Sequence, residues 1–177
     1  YALKAFAPIV ISSVAGTTIS RSHFGDFPAF VFNENILASF WEFPAFVLLG
    51  ICSGIAAIIF MRTTFLMEHI TQKIPIPSWG IPACGGLAIG LIAIFFPQTL
   101  GVGYGVTEAA LLMEFSLTLL IVIGIAKILA TAISIGFGFS GGVFSPSLVI
   151  GAMVGGSFGI IATAILPEYS SGPVAYT

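Results

Sequence analysis

The stretch whose residues could do chemistry is Gly136-Phe-Gly-Phe-Ser-Gly-Gly-Val-Phe-Ser-Pro146, which opens onto the apolar run Ser147 to Gly156. It is irregular, glycine-rich backbone between two apolar spans, and no charged residue draws it toward water. Unsatisfied backbone groups are costly in hydrocarbon, so such a break survives only when buried in protein or lining a watery cavity. A helix that starts near Phe144 leaves its first N–H groups without internal acceptors and carries roughly half a positive charge at that end. Pro146 suits the first turn, and the small residues Gly141 and Gly142 let another group approach the backbone. An anion at the backbone N–H groups of Val143 and Phe144 would satisfy both demands without a buried cation. Gly141, Gly142, Ser145 and Pro146 form its supporting loop. The alternative is a glycine-rich hinge that packs against its neighbours and binds nothing.

Other residues admit narrower readings. Lys127 is the only charge inside an otherwise apolar span, and a charge at mid-helix in a bilayer costs ~3 kcal/mol or more. It is either an electropositive contribution to an anion route or a lysine that snorkels or bonds carbonyls of the Gly-rich loop. The second is preferred, because a long stem reaches several ångströms. Glu108 and Glu114 flank a short helical stretch and read as membrane-surface residues rather than an acid–base pair. Gly101-Val-Gly-Tyr-Gly105 nearly reproduces the carbonyl-lined filter of potassium channels. That filter needs a pore helix before it, and Pro97 stands too close while the span ending at Phe95-Phe96 is too long. Gly138-Phe-Ser-Gly-Gly142 fits the G-x-S-x-G of serine hydrolases and, in part, of intramembrane proteases. A serine nucleophile needs a base, and both histidines, His23 and His69, precede Ser140 in polar segments. His69 beside Glu68 has no cysteine or second histidine at metal-ligand spacing. No metal site, cofactor or catalytic residue is expected.

The elements that must position these residues follow from composition. Of 177 residues, 58% are hydrophobic and 7% charged, with mean hydropathy +1.13 and net charge −2. Soluble domains carry roughly 25% charged residues, and this much apolar surface exceeds what one core of this length can hide. Disorder, nucleic-acid binding and an ordinary soluble enzyme are excluded; the bilayer is the remaining solvent. No charge falls in Phe43–Met61, Ile74–Thr107 or Ile128–Pro167, and about 20 apolar residues cross a hydrocarbon core of roughly 30 Å. Spans are placed at Leu3–Ile19, Phe43–Met67, Ile81–Phe96, Phe115–Ile135 and Pro146–Leu166, with a short amphipathic helix at Thr107–Met113. Arg21–Glu42 reads as a linker, Pro97–Gly105 as a Gly-rich loop, and Pro75–Pro77 as a turn. Two of five basic residues lie at Arg62–Lys73, which places that turn in the cytoplasm and the Ser20–Glu42 loop outside. Cys52 and Cys84 sit in apolar runs and carry no redox signal. The chain has no initiator Met and stops at Tyr176-Thr177, so it reads as an internal piece of a larger, multi-pass protein of the cell or inner membrane.

Gly142-Val-Phe-Ser-Pro146 resembles the G-x-F-x-P signature of the CLC family of chloride channels and chloride/proton antiporters. The likeness extends through Lys127–Gly136, the Ser140-Gly141-Gly142 lead-in and the tail Ser147–Gly159, and to Pro97–Tyr104 before the short helix. From Tyr1 to Phe96 it is carried by segment order and length. The resemblance implies an all-α integral membrane fold, a fragment of an inverted-repeat bundle with broken, re-entrant helices. Residues 1–20 would close the first inverted half, 21–42 link, and 43–177 belong to the second half. It implies a homodimer through the Leu3–Ile19 helix and parts beyond this chain, one ion pathway per subunit, with chloride and membrane lipid as partners. Chloride would be held by the Val143 and Phe144 amides. The serine-bearing, gating-glutamate and pore-tyrosine motifs of the family are not in this sequence. Transport of another anion, nitrate or fluoride, by the same broken-helix device is the alternative.

Overall fold

The computed structural model describes residues 2–25, 42–165 and 172–177. Every regular element among them is helical: α1 (Ala2–Phe24), α2 (Phe43–Lys73), α3 (Ile81–Phe95), α4 (Tyr104–Leu111), α5 (Leu117–Gly136) and α6 (Phe144–Ile165). Two 3-10 turns, Pro97–Thr99 and Pro173–Tyr176, join them. The all-helical membrane fold expected from the sequence is what forms. The chain divides into two compact units, residues 1–31 and 32–177.

The first unit is α1. Three of its hydroxyls bond back to its own carbonyls, Ser12 to Ile9 at 3.0 Å, Thr17 to Ser13 at 2.8 Å and Thr18 to Val14 at 2.8 Å. Hydroxyls satisfied in this way lower the polarity of the helix surface, on which Phe6, Ile9, Ile11 and Val14 are exposed.

In the second unit α5 is the central element, packed against α2, α3 and α6. Its buried residues include Leu120, Ile123, Gly124, Lys127, Ala130 and Thr131, the three- and four-residue spacing of one helix face. Leu120 and Ile123 meet Ala110 of α4 and Val149, Ala152 and Met153 of α6 in the core. Where α5 ends on α2, Gly136 lets the backbones touch: a Cβ there would lie 2.7 Å from the Met67 Cβ and 2.8 Å from the Met67 carbonyl carbon. Beyond α6, Tyr176 is buried with its ring 5.1 Å from Phe46 and 5.6 Å from Phe158. Its hydroxyl donates to Glu42 Oε1 at 3.2 Å, tying the start of α2 to the turn after α6.

Among the described residues α2, α5 and α6, of 31, 20 and 22 residues, are long and apolar enough to cross a bilayer. The apolar α3, at 15 residues, is shorter than the ~20 that crossing requires. Several boundaries differ from the sequence reading. α1 runs past Ile19 to Phe24, so the linker starts later; residues 26–41 of that linker and Leu166, the expected end of the last span, lie outside the described residues. The Arg62–Lys73 segment is not a turn but the last part of α2, which extends beyond Met67 to Lys73. Thr71 is accommodated there by donating to Met67 O at 2.8 Å, and the helix ends at Ile74, where the following Pro75 disfavours helical backbone. α4 starts at Tyr104, three residues before the expected Thr107, because Gly103 supplies the left-handed turn (φ 88°) that precedes it.

Candidate anion-binding site

The break between α5 and α6 has the form its residue types demand. α5 closes with Phe137 N–H donating to Ile133 O at 2.9 Å, Gly138 to Ile135 O and Phe139 to Ser134 O, each at 3.0 Å. Gly138 takes φ 86°, the positive-φ turn that ends helices. Irregular backbone then runs to α6, whose first bond is Ser147 N–H to Val143 O at 3.1 Å, reinforced by Ser147 Oγ to the same oxygen at 2.7 Å. The amides of Val143 and Phe144 therefore stand at the helix N-terminus, ahead of the first intrahelical bond. Pro146 has no N–H to strand. The Val143 and Phe144 side chains are exposed, so it is the backbone that these residues can offer to a ligand.

Two contacts fix the surroundings of that N-terminus. Ser145 Oγ donates to Val102 O, joining α6 to the loop before α4. Lys127, 3% exposed, donates from Nζ to Thr99 O at 2.9 Å and Gly101 O at 3.0 Å, joining the same loop to α5. Bonding to carbonyls of the Pro97–Gly105 loop is the preferred reading of Lys127, and the reach of its stem makes it possible across 26 to 28 residues of sequence. Gly103 is required here: its φ of 88° suits glycine, and a Cβ would approach Val149 Cγ2 to 2.5 Å. A cavity of about 220 Å³ lies between these parts, lined by Gly101, Lys127, Thr131, Ser134, Gly142 and Pro146. Its wall combines the Lys127 side chain, hydroxyls and glycine backbone with apolar side chains that include Ile89, Ile135 and Phe139.

The same contacts dispose of the look-alikes. The carbonyls of Gly101 and Val102, which a potassium filter would turn to its ion, are bonded to Lys127 and Ser145. Ser140 is exposed and, among the described residues, makes no hydrogen bond to a histidine. No metal-binding cluster of His, Cys, Asp or Glu occurs among the described residues. Glu108 and Glu114 are both exposed near the end of α4 and share no hydrogen bond. Sequence reasoning did not reveal the Val102–Ser145 link; the only sign was a run of glycines, Gly101 and Gly103, at a place where backbone must come close.

Three helices long and apolar enough to cross a bilayer, two of them joined by a glycine-rich break, mark a multi-pass integral membrane protein. The whole chain, residues 1–177, matches the voltage gated chloride channel family, and it belongs to that family. It is 34% identical over 178 residues to chloride channel protein CLC-f of Arabidopsis thaliana, covering 96% of this chain and 23% of that protein. It is 30% identical over 162 residues to chloride channel protein CLC-e of the same plant, covering 85% and 22%. An uncharacterized protein of Methanocaldococcus jannaschii shares 31% over 152 residues, covering 86% and 38%. The chain thus spans well under half the length of these relatives.

Proposed function

We propose that the protein containing this chain transports chloride across a membrane, as a channel or a proton-coupled antiporter, and that this chain supplies one part of the chloride site. The observation that carries the reading is the N-terminus of α6, where the Val143 and Phe144 amides precede the first intrahelical bond. Such a terminus carries roughly half a positive charge and directed donors, which suit an anion. Gly141, Gly142, Ser145 and Pro146 hold the loop. Lys127 adds a buried positive charge beside the same cavity, an electropositive background for an anion. Membership of the family, and the printed names of the plant relatives, support chloride as the ion.

Assembly as a homodimer through α1 accompanies this reading. With Ser12, Thr17 and Thr18 bonded to carbonyls of the same helix and Phe6, Ile9, Ile11 and Val14 exposed, α1 presents an apolar surface that can pack in lipid against a copy of itself.

The test is ion flux from vesicles reconstituted with the full-length protein. Chloride efflux above that of empty vesicles, with gluconate retained, is the expected result. A chloride flux equal to that of empty vesicles in both the presence and absence of a pH gradient would refute the assignment.

A further inference from the structure

We infer that Lys127 and Ser145 are positioning residues that act on the anion site together, through the segment Thr99–Gly103, which serves as a strut between α5 and the N-terminus of α6. The inference rests on the reading of Val143 and Phe144 as anion donors and goes beyond it by naming what holds them in place.

Three observations lead to it. First, the two side chains, one from α5 and one from α6, bond the same short segment. Lys127 Nζ holds the carbonyls of Thr99 and Gly101, and Ser145 Oγ holds the carbonyl of Val102, which lies next in sequence. Second, Lys127 and the loop around Gly142 and Pro146 face one another across a cavity of about 220 Å³. The Thr99–Gly103 segment carries hydrogen bonds to both helices beside that cavity, from Lys127 on α5 and from Ser145 on α6. Third, Gly103 closes the far end of the segment on Val149, one turn into α6, and a side chain there would push the strut away. Lys127 is buried, and two of its three ammonium donors are engaged by backbone carbonyls. Its charge therefore holds peptide dipoles in place as well as contributing a field.

A field alone and a strut predict different things for Ser145. Ser145→Ala removes a hydroxyl and no charge, so it cannot change the field of Lys127. If Ser145 ties α6 to the strut, chloride binding weakens about two- to tenfold, the scale of one neutral hydrogen bond. Lys127→Met should weaken binding at least as much, because two carbonyls lose a charged donor, and Lys127→Arg should restore it to within about twofold of wild type. Once the strut is released from α5, its bond to Ser145 no longer transmits anything. The double variant Lys127→Met/Ser145→Ala is therefore expected to match Lys127→Met to within about twofold, instead of showing the product of the two losses.

The experiment is calorimetric titration of the purified full-length protein with chloride, across wild type, Ser145→Ala, Lys127→Met, Lys127→Arg, the double variant and Val143→Pro. Melting temperature is recorded alongside. Loss of affinity in Ser145→Ala with non-additivity in the double variant supports the strut. Unchanged affinity in Ser145→Ala overturns it even if Lys127→Met does not fold, and so does a double variant that shows the full product. A lower melting temperature with unchanged affinity in both single variants also overturns it and leaves the pair a purely structural role. Val143→Pro separates the two levels: affinity lost there but kept in Ser145→Ala sinks the strut alone, whereas affinity kept in Val143→Pro sinks the anion site on which it rests.

Discussion

At the scale of single residues, the proposed anion site uses backbone N–H groups, with side chains in a supporting part. Val143 illustrates the consequence. Its side chain is exposed, and its amide precedes the first bond of α6. Val143→Ile keeps the amide and should change chloride affinity little. Val143→Pro removes the donor, and a charge-assisted hydrogen bond of about 1.5–3 kcal/mol corresponds to a loss of roughly 10- to 150-fold. Calorimetric titration of both variants checks the contrast; equal affinities would place the anion elsewhere. The break and the start of α6 near Phe144 are legible in the sequence, because a glycine-rich stretch without charges between two apolar runs admits few structures. The destination of Lys127 was legible only as a class of partner. Which carbonyls it reaches depends on how a loop 26 to 28 residues earlier folds back, and no local pattern encodes that.

At the scale of elements, charge-free runs located the helices, and local polar residues blurred their ends. Glu68, His69 and Lys73 look like the end of a membrane span, so the sequence pattern ends the span at Met67. Such residues form helix readily, and the helix continues to Lys73, where Pro75 stops it. Hydropathy marks where a chain leaves apolar surroundings, and helix geometry does not end there. The crossing of α5 on α2 was hidden for a different reason: nothing distinguishes Gly136 from the other glycines of its loop until the two backbones meet at Met67. Gly136→Leu forces a side chain into that contact and should destabilise the protein by about 1–3 kcal/mol, the usual cost of overpacking. Thermal unfolding in detergent measures it, and a melting temperature equal to wild type would show that the helices can separate without loss.

At the scale of the whole molecule, the sequence places the Arg62–Lys73 end of α2 in the cytoplasm and the Ser20–Glu42 segment outside. One crossing by α2 separates them. Membrane-impermeant thiol labelling of single cysteines in a cysteine-free background should modify the two segments from opposite sides; labelling from one side contradicts the topology. Bulky substitutions on one face of α1 should lower the mass of the detergent-solubilised particle from dimer toward monomer, while the opposite face tolerates them. Uniform mass across the scan would assign α1 to lipid. Neither orientation nor assembly follows from the internal packing of a single chain, since both depend on its surroundings. Two amides would hold the anion in the assembled full-length protein, and replacing the Phe144 amide with a backbone ester by semisynthesis tests this without a proxy. The ester removes one N–H without a proline ring or any change of side chain. Calorimetry should then show chloride binding weakened by roughly tenfold or more with the fold intact. Chloride binding unchanged from the all-amide protein would contradict the account, leaving the break before α6 a hinge and the anion held by other parts of the protein.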